Sequence, residues 1–186
     1  MTQIKKIVRL LSLVLPMGFA ISSHAQSTAN APTLDTSLKT LISEMQPMTK
    51  MTLGPLDNKP LLVTFFASWC PPCRPEFVEI NTLRKEFPES AITMIAINIF
   101  EDHFDDPRGV RMKRFLRSTA PNFPVLKPGD EDQALKKLGD LDRIPTVYLF
   151  DADGTPRYTF IHQRNATKTH ITASEIRPHI KAAIRK

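Results

Sequence analysis

The chain has 186 residues, of which 41% are hydrophobic, and a formal net charge of +6. Three of its 25 Lys and Arg residues and none of its 19 acidic residues lie in the first 25 positions, so the other 161 residues carry a net charge of +3. This balance argues against a nucleic-acid-binding protein. A segment of 161 residues is the usual size of one domain with a full hydrophobic core.

The N-terminus is typical of an export signal. Three basic residues precede an apolar run at 10–21, and the small residues after it fit cleavage before Gln26. The run is shorter than the roughly 20 apolar residues of a membrane-spanning helix, and an uncleaved anchor is the alternative. The sequence therefore predicts a signal peptide at 1–25, a flexible leader at 26–33 and one domain at 34–186, in a periplasmic protein.

Helical and strand patterns alternate along the predicted domain. The basic stretch in the third helix is interpreted as a solvated face, and a docking patch for an acidic partner is the alternative. Strands that alternate with helices, followed by a hairpin and a last helix, predict an α/β fold with a mixed sheet. The predicted helices are 34–45, 71–87, 108–119, 131–139 and 172–184, and the predicted strands are 61–67, 91–100, 123–128, 145–151 and 156–163.

Both cysteines lie in "FFASWCPPCRPEF", where a predicted buried strand meets a predicted helix. The positive end of a helix favours thiolate over thiol, so Cys70 is placed to attack a disulfide. Cys73, one turn into the helix, is suited to resolve the mixed disulfide. Pro71 fits the first helical position, whereas Pro75 is expected to bend or delay the helix.

Two other interpretations of the cysteine pair have weaker support in the sequence. A disulfide between neighbours three apart closes a short loop and contributes little stability, which argues against a structural staple. A tetrahedral zinc site needs two further ligands, and the chain has no third cysteine and no paired histidines near the motif. Copper bound by the two thiolates alone stays open as an alternative.

Two segments resemble the landmarks of thioredoxin-like proteins. "PLLVTFFASWCPPCRPEF" looks like their active-site region, and "RIPTVYLFDADG" looks like their cis-proline followed by a strand and turn. Together with the export signal, the sequence over about 59–160 resembles the TlpA/ResA group of exported thiol-disulfide oxidoreductases. The resemblance implies a thioredoxin-like fold with a central mixed sheet, helices on both faces and a central insertion of the TlpA/ResA type.

The resemblance also implies roles for individual residues. Cys70 resembles the nucleophile, Cys73 the resolving thiol, and Trp69 the aromatic side chain that packs beside the disulfide. Pro145 resembles the cis-proline opposite them, and the backbone of Ile144 is then expected to pair with a substrate peptide.

A proton acceptor for Cys73 is harder to find in the sequence. Thioredoxins have a buried aspartate at the position that Thr64 occupies in this chain. Some members of the TlpA/ResA group place a glutamate after the next strand, and this resemblance implies Glu101 as the proton shuttle. The alternative is that Glu101 belongs to a solvated acidic loop.

The end of the last predicted strand departs from the family pattern. A glycine that lets substrate approach is usual there, whereas this chain has "HQRNAT". Asn165 tolerates a positive φ angle and can substitute for the glycine. His162, Gln163 and Arg164 are expected to make this rim more polar and to affect the choice of substrate.

The resemblance implies that the protein reduces cysteine-containing exported proteins and is itself kept reduced by a membrane thiol-disulfide electron donor of the DsbD/CcdA kind. It implies no cofactor. Apocytochrome c is a candidate client on the resemblance alone. A C-P-P-C sequence does not fix the redox direction, so an oxidase or isomerase is the alternative.

Overall fold

The computed structural model describes residues 31–186, and the predicted signal peptide and most of the predicted leader lie outside them. The described chain forms a six-stranded mixed sheet with the order β1-β4-β3-β2-β5-β6. β2, β3 and β4 run parallel, and β5 is antiparallel to both β2 and β6. The strands are β1 (Gln46–Pro47), β2 (Leu61–Phe66), β3 (Thr93–Asn98), β4 (Val125–Lys127), β5 (Thr146–Phe150) and β6 (Pro156–Ile161).

Five helices accompany the sheet in the described residues: α1 (Thr36–Ser43), α2 (Cys73–Glu86), α3 (Val110–Thr119), α4 (Glu131–Lys137) and α5 (Ala173–Ile184). A 3-10 turn at Glu101–His103 precedes α3. Polar side chains cap α1 and α4, because the carboxylates of Asp35 and Asp130 accept from backbone N–H groups of the first turn at 2.8 and 2.9 Å. Within residues 31–186, no helix is long and apolar enough to cross a membrane.

The core is centred on β2, β3 and β5, whose residues are all buried. Strands covered on both faces read as continuous apolar runs, as in "LLVTFF" and "TMIAIN". α2 packs against α3 and α5. Aromatic contacts connect the sheet, α2 and α3. The ring centroid of Phe77 in α2 lies within 5.3 Å of the ring centroids of Phe66, Phe115 and Phe123.

β4 extends the sheet on the β3 side. α3, β4 and α4 lie between β3 and β5 in the chain, at the position expected for the central insertion. β4 pairs with β3, and the two-residue strand β1 pairs with β4. The sequence did not predict β1, because Gln46 and Pro47 are exposed and form no apolar pattern.

The start of α2 differs from the prediction. The helix begins at Cys73 rather than at Pro71, so Cys73 is its first residue and not one turn inside it. Pro71 and Pro72 form a preceding turn, in which the N–H of Arg74 donates to the carbonyl of Pro71 at 3.4 Å. Pro75 is the third helical residue, where no N–H has an intrahelical partner. The expected delay of the helix by proline is therefore observed.

The predicted hairpin joins β5 to β6 through Gly154, whose φ angle is +85°. A Cβ atom at Gly154 would lie 2.4 Å from the carbonyl oxygen of Leu34. The N–H of Leu34 in turn donates to the carbonyl of Gly154 at 2.9 Å. Only glycine fits this close approach of two backbones, which fixes the N-terminal end of the fold to the hairpin turn.

Candidate active site

Cys70 and Cys73 form a disulfide with an S–S distance of 2.04 Å and a Cα–Cα distance of 5.4 Å. Cys70 lies four residues after the end of β2, and Cys73 opens α2. Both are buried, with 2% of Cys70 and none of Cys73 exposed. Cys70 is therefore the more accessible cysteine, and a partner has to approach closely to reach it.

Trp69 covers the loop before the disulfide. Its indole N–H donates to the carbonyl of Phe100 at 2.7 Å. Its ring centroid lies 5.3 Å from that of His103 and 5.2 Å from that of Phe104. These contacts hold the tryptophan, next to Cys70, against the 3-10 turn that follows β3.

The peptide bond between Ile144 and Pro145 is cis, as the sequence predicts. The carbonyl of Pro145 accepts from the N–H of His162 at 3.0 Å, and the hydroxyl of Thr146 donates to the carbonyl of Arg143 at 2.9 Å. Among the described residues, the backbone N–H and carbonyl of Ile144 have no hydrogen-bond partner. An extended peptide can use such free groups to add a strand.

A fully buried carboxyl group lies one helical turn from the disulfide. Glu76 follows Cys73 by three positions on α2, so the two side chains share one face of the helix. The hydroxyl of Thr64 donates to one of its carboxyl oxygens, and the N–H of Ile171 lies 3.5 Å from the other. Burial raises the pKa of Glu76 from 4.5 to about 8, and these hydrogen bonds and the charge of Lys168 offset only part of that rise.

Glu76 was not predicted from the sequence, although a signal was present. Apolar residues at Phe77, Ile80 and Leu83 define the buried face of α2, and Glu76 falls on that face. A charged residue on the apolar side of a predicted helix indicates either a paired buried charge or a carboxyl group with a shifted pKa.

Glu101 is half-buried at the start of the 3-10 turn and binds the active-site loop. Its carboxylate accepts from the backbone N–H of Ser68 at 2.8 Å, from the hydroxyl of Ser68, and from the side-chain amide of Asn98 at 2.9 Å. Ser68 is two residues before Cys70. Glu101 therefore contacts the loop that carries the cysteine, and the structure shows no direct contact between Glu101 and either sulfur.

A groove of about 960 Å³ lies beside the site. Trp69 and Ile144 line it, together with the three polar residues at 162–164 that end the β6 rim. Asn165, just beyond them, has a φ angle of +64°, as expected for a residue that replaces glycine. The structure thus brings the cysteine loop, the cis-proline loop and the polar rim to one edge of the sheet.

Among residues 31–186, no three or more His, Cys, Asp and Glu side chains form a group that could hold a metal ion. The two sulfurs are bonded to each other. The arrangement brings a disulfide together with a buried carboxyl group and a free backbone edge.

The chain matches a known protein family. A model of the family described as Redoxin matches residues 27–176. The chain belongs to the Redoxin family. Redoxin relatives named thiol-disulfide oxidoreductase ResA include one from Bacillus subtilis (strain 168), 23% identical over 145 residues that cover 78% of this chain and 76% of the relative. A second, from Oceanobacillus iheyensis, is 28% identical over 78% of this chain and 73% of the relative.

Solved structures share the fold. StoA from Bacillus subtilis has a TM-score of 0.52 and 19% identity, covering 66% of this chain and 83% of that protein. A thiol-disulfide isomerase from Corynebacterium glutamicum has a TM-score of 0.63 and 21% identity, covering 84% and 98%. The predicted thioredoxin-like fold and resemblance to the ResA group are confirmed. So is the predicted enzyme class, thiol-disulfide oxidoreductase, which the family and the named relatives support.

Proposed function

We propose that this Redoxin-family chain is a periplasmic enzyme that reduces disulfides of exported proteins by dithiol-disulfide exchange through Cys70 and Cys73. One observation carries the proposal. The Cys70–Cys73 disulfide follows Trp69, which lines one groove together with the free backbone of Ile144, and precedes the buried carboxyl group of Glu76 by one helical turn. These are the parts that exchange needs: a nucleophile, a resolving thiol, a proton acceptor and a place for the client.

The reaction proceeds in two exchanges. The Cys70 thiolate attacks one sulfur of the client disulfide, a mixed disulfide forms, and the other client sulfur leaves as a thiolate. Cys73 then loses its proton and attacks the sulfur of Cys70. The Cys70–Cys73 disulfide forms, and the second client sulfur leaves as a thiolate that takes up a proton. Two electrons pass from the enzyme to the client, so a dithiol donor must reduce the enzyme again.

Glu76 is the proton acceptor that the geometry favours for Cys73. The two residues lie three positions apart on one helix face. The pKa of Glu76, about 8, is close to that of an ordinary cysteine, about 8.5. Proton transfer between groups of matched pKa is efficient. The shuttle is thus assigned to a carboxyl group on α2, with Thr64 as its hydrogen-bond donor.

Glu101, the residue implied by the family resemblance, is the second candidate for this role. Its carboxylate already accepts three hydrogen bonds from Ser68 and Asn98. These bonds suit a residue that positions the loop before Cys70. A role for Glu101 in proton transfer would require it to exchange one of these partners for a group near the sulfurs.

The charge around the cysteines supports the reducing direction. Oxidants of this fold are strong because their reduced form is stabilised as a thiolate. Here the helix that begins at Cys73 favours a thiolate, but Glu76 one turn away adds no positive charge and, above its pKa of about 8, becomes a carboxylate that opposes the thiolate. A dithiol without strong thiolate stabilisation gives up its electrons readily.

The proposed clients and electron donor follow from the resemblance to the ResA group. Clients are cysteine-containing exported proteins, and a membrane thiol-disulfide electron donor of the DsbD/CcdA kind returns the enzyme to its dithiol form. The relatives are named ResA thiol-disulfide oxidoreductases, and the N-terminal sequence is typical of an export signal.

The reduction potential of the Cys70–Cys73 couple tests the direction. The protein is equilibrated with mixtures of reduced and oxidised glutathione. The fluorescence of the single tryptophan, Trp69, beside Cys70, reports the fraction of reduced protein and so gives the potential. We expect a value near that of thioredoxin, about −270 mV. A value near that of DsbA, about −120 mV, overturns the reductase assignment and supports the oxidase. Glu76→Gln, which removes the carboxylate that forms above a pKa of about 8, is expected to shift the potential towards the oxidising side in that pH range.

A further inference from the structure

The groove beside the disulfide has two walls of opposite charge. Strand order separates them, because β3 and β4 lie on one side of β2, and β5 and β6 lie on the other. Trp69, which follows β2, lies between the walls and lines the groove. An occupant that fills the groove therefore contacts both walls next to Cys70.

The wall on the β3 side is acidic. Asp102 comes from the 3-10 turn after β3, and Glu131 is the first residue of α4. One carboxylate oxygen of Glu131 accepts from the backbone N–H of Phe100 at 3.0 Å, which fixes this side chain at the groove. Partial burial, together with the negative charge of Asp102, raises the pKa of Glu131. Both side chains line the groove, so a positively charged group inside it is attracted to both.

The wall on the β5 and β6 side is cationic. The guanidinium of Arg143 donates to the side-chain oxygen of Gln163, which ties the cis-proline loop to the end of β6. The carboxylate of Asp142 lies 3.4 Å from Nε of Arg143 and offsets part of the charge of the guanidinium. Arg164 is exposed and makes no ion pair within residues 31–186. In the same part of the chain, the buried Nδ1 atom of His162 has no hydrogen-bond partner.

The backbone edge at Ile144, which follows Arg143 of the cationic wall, sets the direction of an occupant. Ile144 offers a free N–H and a free carbonyl, and pairing with both fixes the direction of an extended peptide. Alternate residues of such a peptide point to the same side. Side chains two positions before and two positions after the reactive cysteine then point the same way but lie about 13 Å apart along the peptide, far enough for one to reach the acidic wall and the other the cationic wall.

We propose that this groove selects client segments in which a basic and an acidic side chain flank the reactive cysteine in one fixed order. The basic side chain lies against Asp102 and Glu131, and the acidic side chain lies against Arg164 and His162. This inference rests on the proposed function, since it takes Cys70 as the attacking thiol and a polypeptide as the client. Arg164 and Asp102 are the specificity-determining residues.

Two peptides with the same composition test the order. One carries lysine two residues before its single cysteine and aspartate two residues after it, and the other has the reverse order. Each cysteine is linked to a thiopyridyl group, and a neutral peptide serves as the reference. In a Cys73→Ser variant, the Cys70 thiolate attacks the peptide sulfur, and the thiopyridyl sulfur leaves as pyridine-2-thione, which absorbs light.

We expect one order to react about tenfold faster than the other, from two partly exposed charge contacts. Salt should reduce this ratio. A double exchange, Asp102→Lys with Arg164→Glu, should invert the ratio after each rate is divided by that of the same variant with the neutral peptide. Lys85→Glu, at the far end of α2 and about 18 Å along the helix from Cys73, is the matched control and should keep the wild-type ratio.

The outcomes separate the two proposals. Equal rates for the two orders, or a ratio that the double exchange does not invert, overturn the selection of charge order and leave the proposed function intact. If no peptide releases pyridine-2-thione faster than with a Cys70→Ser control, the assignment of Cys70 as nucleophile fails, and the proposed function fails with it.

Discussion

Thr64, in the middle of β2, donates its hydroxyl hydrogen bond to the carboxyl group of Glu76 on α2, where neither residue has any exposed surface. The strand position that carries a buried aspartate in thioredoxins is thus occupied by a hydrogen-bond donor, and the carboxyl group comes from the facing helix. The acid has moved to another element of the fold while the buried site keeps a single carboxyl group and a polar partner.

Glu76→Gln is expected to slow the attack of Cys73 on the mixed disulfide by about 100-fold, because it removes the general base. The wild-type rate should rise with pH through the pKa of Glu76, about 8, and this rise should be lost in the variant. Release of a small thiol from a preformed Cys70 mixed disulfide, followed across pH, measures the step.

Glu101→Gln is the comparison that separates the two candidate proton acceptors. We expect it to weaken the bonds to Ser68 and Asn98 and to keep the midpoint of the pH profile. A midpoint that shifts with Glu101→Gln but not with Glu76→Gln would return the shuttle to Glu101.

The stability of the oxidised protein is expected to fall as the pH rises from about 5 to about 8. Burial raises the pKa of Glu76 from 4.5 to about 8, so the folded state binds a proton that the unfolded state has released. The favourable contribution is complete below the unfolded pKa and disappears through the folded pKa. Its size is on the order of 3–5 kcal/mol.

Urea unfolding at several pH values checks this dependence. In Glu76→Gln the fall should be smaller by about that amount, and in Glu44→Gln, which alters an exposed glutamate, the wild-type dependence should persist. Identical pH dependence in wild type and Glu76→Gln would mean that the buried carboxyl group does not change its proton affinity on folding.

Two buried threonines form a matched pair for the energetics of this site. Thr64→Val removes the donor to Glu76 and is expected to destabilise the protein by about 1–3 kcal/mol and to raise the pKa of Glu76 further. Thr93→Val, on the neighbouring strand β3, removes a buried hydroxyl that has no partner within residues 31–186. It should be neutral or stabilising by up to about 1 kcal/mol. Thermal and urea unfolding compare the two, and equal losses would contradict the assignment of Thr64.

Two glycines with positive φ angles separate backbone strain from steric contact. Gly154→Ala is expected to destabilise the fold by more than 2 kcal/mol, roughly the sum of left-handed strain and overpacking, because its Cβ would lie 2.4 Å from the carbonyl oxygen of Leu34. Gly109→Ala, with a φ angle of +60° and no atom within 4 Å of its Cβ, should cost only the strain, about 1 kcal/mol. Urea midpoints decide, and equal losses would show that Leu34 moves aside.

The sequence predicted those parts of the molecule that have a local pattern. The central strands are apolar runs bounded by turn residues, and the helices have apolar residues at helical spacing, so their order and approximate bounds were found. β1 has only two exposed residues and depends on its pairing with Lys127 and Leu126. The beginning of α2 depended on how three prolines share one turn, which spacing alone does not decide.

The same distinction between local and long-range signals applies to the active site. The cysteine pair and the cis-proline have short-range signatures. The bonds of Glu101 to Ser68, and of Glu76 to Thr64, join residues 33 and 12 positions apart, and only the packed structure shows them. Glu76 alone left a local trace, since it interrupts the apolar face of α2.

The contact between Leu34 and Gly154 also determines how the enzyme can be presented to other proteins. β5 begins beside the cis-proline loop and ends at Phe150, next to the hairpin turn, so the two ends are about 13 Å apart along the strand. The chain thus enters the fold at the edge opposite Cys70. A protein that binds at the catalytic edge therefore meets neither Leu34 nor the hairpin turn.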